Sequence, residues 1–522
     1  MNIDILKEKL SYIQLDNMSY DITLLEYSAS PDFSPPAEMD GNPKYMVTDF
    51  REALALVKPF YRIALTIHTS PNSDFQMEAW LPEETTWNRR TMTIGNSGSA
   101  MTVNHLALIG AAMDDFATFH CNLGTRDNLD RGINNPEIWK DFGWRATHLT
   151  TEIGKQIVNL LYEEPAHHHY FYGCSTGGQQ GISAAEHFPK DYDGIACVAP
   201  AISRTWLHIY FVWNVQNLMY PDGTFVFTSE EVNRLSALTI AYYQSIDDGQ
   251  PGDGFVTDSR LNESQMHELF ETIEQADFLT DDQLRRLWNV YHGPINPHTG
   301  DRIYCGFPMG AESGFFGLNA VKIPGYTYEY LYPVRWMMGE AFDTFDIFAF
   351  DFDCDTAQAS ALDKELNGDT GQLSVFKAAG GKLLMTSGSM DAVVPAANIT
   401  DYYHRASQLQ GGFGETQDFF RYFIVPGFSH SIKGGSTGTD YLGTADGNIP
   451  ASAGYIPVAY YDAGLVDAVM AWVEQGLAPD AIMATGFNQM KAGGILVPDV
   501  TAGTRFQRLV GFYSNDTDSM VY

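Results

Sequence analysis

Basic residues are scarce in this chain: 31 Lys and Arg stand against 65 Asp and Glu, a formal charge of −34 over 522 residues. A surface of that sign repels phosphate backbones and anionic headgroups, which argues against nucleic acid or an acidic membrane as partner. Cysteine is rare too. The five present, Cys121, Cys174, Cys197, Cys305 and Cys354, are widely spaced and include no Cys-x-x-Cys, so neither a disulfide framework nor a thiolate zinc site is expected. No run of about 18 apolar residues occurs, which argues against a membrane span. The N-terminus, Met1-Asn2-Ile3-Asp4-Ile5-Leu6-Lys7-Glu8, lacks a basic region leading into an apolar core. The expectation is a cytoplasmic, reduced protein. Internal repeats and low-complexity tracts are absent as well.

What is present suits a packed interior: 44% hydrophobic and 13% aromatic residues. The length exceeds what one simple core fills and predicts a main domain with a large insertion. The first ~45 residues, with Pro31, Pro35 and Pro36, read as irregular structure. Strand patterns follow at Tyr61 to Ile67, Phe75 to Leu81 and Met92 to Ile94, the last running into the Gly-rich turn Gly95-Asn96-Ser97-Gly98-Ser99. Helical spacing from Trp144 to Tyr162 leads to the short apolar strand Tyr170-Phe171-Tyr172, then to a helix over Gln179 to His187. Strand and helix alternate, which predicts an α/β fold with a mostly parallel sheet. From about Ser203 to Gly371 the chain is acidic, rich in tryptophan and looped. Alternation resumes with strands at Gly381 to Thr386 and Arg421 to Val425 and a helix over Val466 to Gln475. Residues 1–202 and 372–522 are therefore expected to build one α/β core, and 203–371 a domain inserted between its strands and lying over one face.

The sharpest chemical signal is Gly173-Cys174-Ser175-Thr176-Gly177, a Gly-x-Ser-x-Gly between a strand and a helix. That turn holds a serine in a strained, exposed conformation above a sheet. A serine hydroxyl attacks only when a neighbouring base takes its proton. The partners should follow in the order acid, then histidine. Asp391 lies in the loop past the strand at Leu383, and His430 in the loop past the strand at Phe423. Together they form a candidate triad: Ser175 as nucleophile, His430 as base and Asp391 as its orienter. The oxyanion needs two N–H donors, assigned to Thr176, after the nucleophile, and Gly98, in the earlier turn. His167-His168-His169 reads as a plain loop before the core strand rather than a metal site. Cys121, Cys197, Cys305 and Cys354 read as core residues.

These segments resemble the tannase and feruloyl esterase family. The likeness rests on Glu78-Ala79-Trp80-Leu81-Pro82 with Trp87-Asn88, Gly95-Asn96-Ser97-Gly98, Asp141-Phe142-Gly143-Trp144-Arg145-Ala146 and the serine turn extended through Gly181. It continues through Phe188 to Ile195, Ala199-Pro200-Ala201, Tyr291-His292-Gly293-Pro294 with Thr299-Gly300, and Trp472 to Asp480, and covers about residues 58 to 485. It implies an α/β-hydrolase with a lid and, as substrates, esters of aromatic or hydroxycinnamic acids. Chemistry through an acyl-enzyme requires no cofactor. The alternative is a biosynthetic enzyme using the same triad for acyl transfer, lactonisation or thioester release. The partner is a small-molecule ester.

Two departures stand out. The family pairs the cysteine beside the nucleophile with one beside the histidine; here Cys174 is present but Ser431 follows His430, so that bridge cannot form. Family members often bind calcium in an Asp-rich lid loop. The counterpart here is Asp247 to Phe255, with Asp248 and Asp253 as candidate ligands for a structural Ca2+, although its spacing is one residue longer. A metal-free acidic loop is the equal alternative.

Overall fold

A computed structural model describes residues 3–29, 54–126, 128–246, 253–315, 331–341, 344–430, 438–445, 461–489 and 502–514. Nine strands form the main sheet: β1 (Ser19–Ser28), β2 (Phe60–Ser70), β3 (Ser73–Pro82), β4 (Arg90–Ile94), β5 (Ala117–Cys121), β6 (His168–Cys174), β7 (Gly194–Val198), β8 (Lys382–Gly388) and β9 (Phe420–Val425). Their spatial order is β1-β2-β3-β5-β4-β6-β7-β8-β9. From β5 to β9 every pairing is parallel, while β1, β2 and β3 run antiparallel at one edge. The fold is thus α/β with a mostly parallel sheet.

Residue pattern explains the difference between edge and centre. In β2 buried and half-buried residues alternate, as in a strand with one face on the core. All five residues of β7 are buried, because helices cover both faces. Within β6 the period of two divides the side chains. Phe171 packs with Ile182 of the helix Thr176–His187 on one face. Tyr170 and Tyr172 pack with Val466 and Val469 of the helix Ala463–Gln475 on the other.

Between β7 and β8 the described residues form no strand of either sheet. They include the helices Arg204–Leu218, Ser229–Ser245, Glu263–Gln275, Asp281–His292, Tyr332–Met338 and Ser360–Leu366. Three of these start with reciprocal capping boxes, Thr228 with Glu231, Asn262 with Gln265 and Thr280 with Gln283, which satisfy N–H groups the helices cannot.

Two regions differ from the sequence reading. Residues 3–28 are ordered: the helix Ile3–Leu10 and β1, which pairs along β2. Near the C-terminus, β10 (Tyr441–Thr444), β11 (Ala481–Phe487) and β12 (Thr504–Gly511) form a second, antiparallel sheet that the pattern did not indicate.

Candidate active site

β6 ends at Cys174 and a helix begins at Thr176, which leaves Ser175 alone at the turn with φ 62° and ψ −118°. Positive φ is costly for a residue with a Cβ and persists only where the surroundings enforce it. Here the Ser175 N–H donates to Val198 O at 2.9 Å, and its carbonyl accepts from the N–H groups of Gln179 at 3.1 Å and Ala201 at 3.0 Å. Space explains the flanking glycines. A Cβ on Gly173 would lie 2.4 Å from the Gly177 carbonyl oxygen, and one on Gly177 would lie 2.9 Å from that of Asn96.

β6, β8 and β9 are parallel, so the loops that follow them emerge at one end of the sheet. Asp391 and His430 come from two of those loops and meet: His430 Nδ1 lies 2.8 Å from Asp391 Oδ2. Asp391 is fully buried, and its Oδ1 accepts the N–H groups of Val393 and Val394 at 2.9 Å each. Those two bonds fix the carboxylate so that its other oxygen faces the imidazole. The loops are laced together. Met390 N–H donates to Phe428 O at 3.1 Å, and Ser389 Oγ accepts from Gly427 N–H at 2.9 Å while donating to Val256 O at 2.7 Å. Tyr210, from the first helix after β7, donates its hydroxyl to Ala392 O at 3.0 Å. The described residues form no hydrogen bond between the Ser175 hydroxyl and His430. Such bonds are often long in an unliganded site and tighten only with substrate.

Thr176 is the first helical residue, so the helix leaves its N–H without a partner. Gly98 takes φ 53° in the Gly-rich turn. The two turns are joined directly, since Thr176 Oγ1 donates to Gly98 O at 2.6 Å and Gly177 N–H donates to Asn96 O at 2.7 Å. Asn96 is held in turn: its N–H donates to Gln180 Oε1 at 2.7 Å and its Nδ2 to Cys121 O at 2.6 Å.

The family model described as "Tannase and feruloyl esterase" matches residues 63–510 of this chain. The chain belongs to that family. It is a carboxylic ester hydrolase of the α/β-hydrolase fold. Among its relatives, an uncharacterized esterase of Xanthomonas campestris is 29% identical over 473 residues, covering 84% of this chain and 79% of that one. Feruloyl esterase C of Talaromyces stipitatus is 29% identical over 440 residues, covering 81% and 77%. The fold is shared with feruloyl esterase B from Aspergillus oryzae, at TM-score 0.73, 24% identity and coverage of 98% and 95%. It is shared also with a tannin acyl hydrolase from Aspergillus niger, at TM-score 0.70, 17% identity and coverage of 100% and 95%.

Other residues singled out in this tannase-family sequence fall elsewhere. Asp253 directs both carboxylate oxygens at the Arg508 guanidinium on β12, and Asp248 lies outside the described residues. Among the described residues no three His, Cys, Asp or Glu side chains gather as a metal site. A calcium set is therefore not assembled by the described residues. Ser431 also lies outside the described residues. All five cysteines are free thiols; Cys121, Cys174 and Cys197 are buried, whereas Cys354 is exposed and not a core residue. Burial pushes the Cys121 thiol up to about 11. His168 and His169 open β6 rather than a loop, and Thr91 Oγ1 lies 2.8 Å from His169 Nδ1 across the strand pair. Sequence reasoning missed Ser389, Tyr210 and Arg204, the last of which touches both Thr176 and Gly98. Only Ser389, two residues before Asp391 in a Gly-containing loop, carried a local signal.

Proposed function

We propose that this tannase-family hydrolase cleaves esters of aromatic or hydroxycinnamic acids through an acyl-enzyme on Ser175. The observation that carries the reading is the 2.8 Å contact between His430 Nδ1 and buried Asp391, on the same rim of the sheet as the strained Ser175 turn. With Nδ1–H donated to the carboxylate, Nε2 is left as the acceptor for the serine proton. Ser175 Oγ attacks the ester carbonyl, and the N–H groups of Thr176 and Gly98 hold the oxygen that becomes negative. His430 then returns the proton to the departing alcohol. A water molecule, deprotonated by the same imidazole, releases the acid and restores the hydroxyl. The substrate class is supported by the relatives named feruloyl esterase.

Methyl ferulate, methyl gallate and p-nitrophenyl acetate test both halves of the reading. Wild-type protein is expected to release free acid from an aromatic ester, and Ser175→Ala to release none above background. Turnover persisting in Ser175→Ala contradicts the nucleophile. Cleavage of the acetate alone contradicts the substrate class.

A further inference from the structure

Beside the Gly98 turn a guanidinium is buried, and among the described residues no carboxylate pairs with it. Arg204, the first residue of the helix Arg204–Leu218, is 3% exposed. Its Nη1 donates to Thr176 Oγ1 at 2.9 Å and to Gln179 Oε1 at 3.3 Å; its Nη2 donates to Gly98 O at 3.1 Å and to the Tyr332 hydroxyl. The guanidinium carbon lies 5.2 Å from the Phe142 ring centroid and 5.8 Å from that of Tyr332. Among the described residues no Asp or Glu forms an ion pair with it.

Arginine remains charged inside proteins. A buried charge with no opposite charge is an expensive arrangement, and neutral acceptors and ring faces offset it only in part. Stability alone gives little reason to keep it there. Its acceptors suggest another reason. Thr176 Oγ1 and Gly98 O belong to the two residues whose N–H groups are assigned to the oxyanion, and Gln179 lies one turn along the nucleophile helix. Thr176 Oγ1 accepts from Arg204 while donating to Gly98 O, so three residues from three segments close one small network.

We propose that Arg204 is a positioning residue for ester hydrolysis, clamping the Gly98 turn to the start of the nucleophile helix and supplying the positive charge that favours an oxyanion over a neutral carbonyl. The inference rests on the assignment of Ser175, Thr176 and Gly98 above. No bond to substrate is made or broken by Arg204. It fixes the spacing of the two donors and adds a field that acts only when charge develops, and a low-dielectric surrounding strengthens such a field. Lysine keeps the charge but not the fork that reaches Thr176 and Gly98 together.

The test compares Arg204→Met and Arg204→Lys with wild type, using p-nitrophenyl acetate and a trifluoromethyl ketone that mimics the tetrahedral adduct. Arg204→Met is expected to lower kcat about 30-fold or more, with KM within about threefold, and to weaken the ketone by the same factor, since the loss falls on the transition state. Arg204→Lys is expected to recover part of both. If the Met variant does not fold, as read by circular dichroism, Arg204→Lys carries the test, with kcat and ketone affinity falling together. A folded variant with unchanged kcat and unchanged ketone affinity overturns the proposal, as does a rise in KM with kcat intact. Ser175→Ala separates the two readings. If it still turns over, the site assignment itself fails; if it is inactive while the Arg204 variants behave as wild type, only the role of Arg204 falls.

Discussion

Asp391→Asn is the substitution that most sharply probes how the imidazole is held. The asparagine is nearly isosteric, and its Oδ1 can still accept the Val393 and Val394 N–H groups that now bond the carboxylate at 2.9 Å each. Those bonds fix which end of the side chain faces His430. In wild type that end is an acceptor 2.8 Å from Nδ1; in the variant it is an NH2 donor. The ring must then present a bare Nδ1 and carry its proton on Nε2, where it cannot accept from Ser175. Loss of the correct tautomer in such a triad costs about 10⁴ in kcat, equivalent to about 5 kcal/mol of barrier. KM should change little, because Asp391 is fully buried and acts through His430. Steady-state hydrolysis of p-nitrophenyl acetate at pH 7, with circular dichroism to confirm folding, reads the outcome. A folded variant retaining more than about a tenth of wild-type kcat would refute the assignment of Asp391 as orienter.

Charge sets three further expected outcomes. Asp462 caps the helix Ala463–Gln475, accepting Leu465 N–H at 3.0 Å and Leu442 N–H at 3.3 Å, and burial, reinforced by Asp467, pushes its carboxyl up to about 7. A folded-state value above the unfolded one contributes stability that is complete below about pH 4 and lost as pH rises through 7, amounting to about 4 kcal/mol. Asp462→Asn should therefore match wild type in Tm at pH 4 and exceed it at pH 8; parallel Tm curves would count against this. Arg508→Met strips Asp253 of its guanidinium partner and should cost about 2 kcal/mol, seen as a lower Tm. Because that carboxylate is already paired, EDTA should leave the wild-type Tm unchanged, and a clear drop would show a metal at work.

Much of this arrangement could be read from local sequence. The Ser175 turn combines glycines, a strand and a helix in one short stretch, and Asp391 and His430 each sit directly past an apolar strand. Other parts left no local trace. β1 has a register irregularity between Ile22 and Leu24, which breaks the alternation that would have marked it as a strand. β12 is largely exposed, with one buried residue, and carries Arg505 and Arg508, so its composition resembles a loop. Arg204 reads in sequence as an ordinary charged residue at a helix start. Its burial follows only from the packing of Phe142, Tyr332 and the nucleophile helix around it. Long-range contacts of that kind have no period and no spacing.

Stoichiometric labelling with a fluorophosphonate, followed by peptide mass mapping, tests the nucleophile most directly. One adduct per chain, on the peptide bearing Ser175, with ester hydrolysis falling in step with its formation, is the expected result. An adduct on another residue, or hydrolysis that survives full modification of Ser175, would contradict the account.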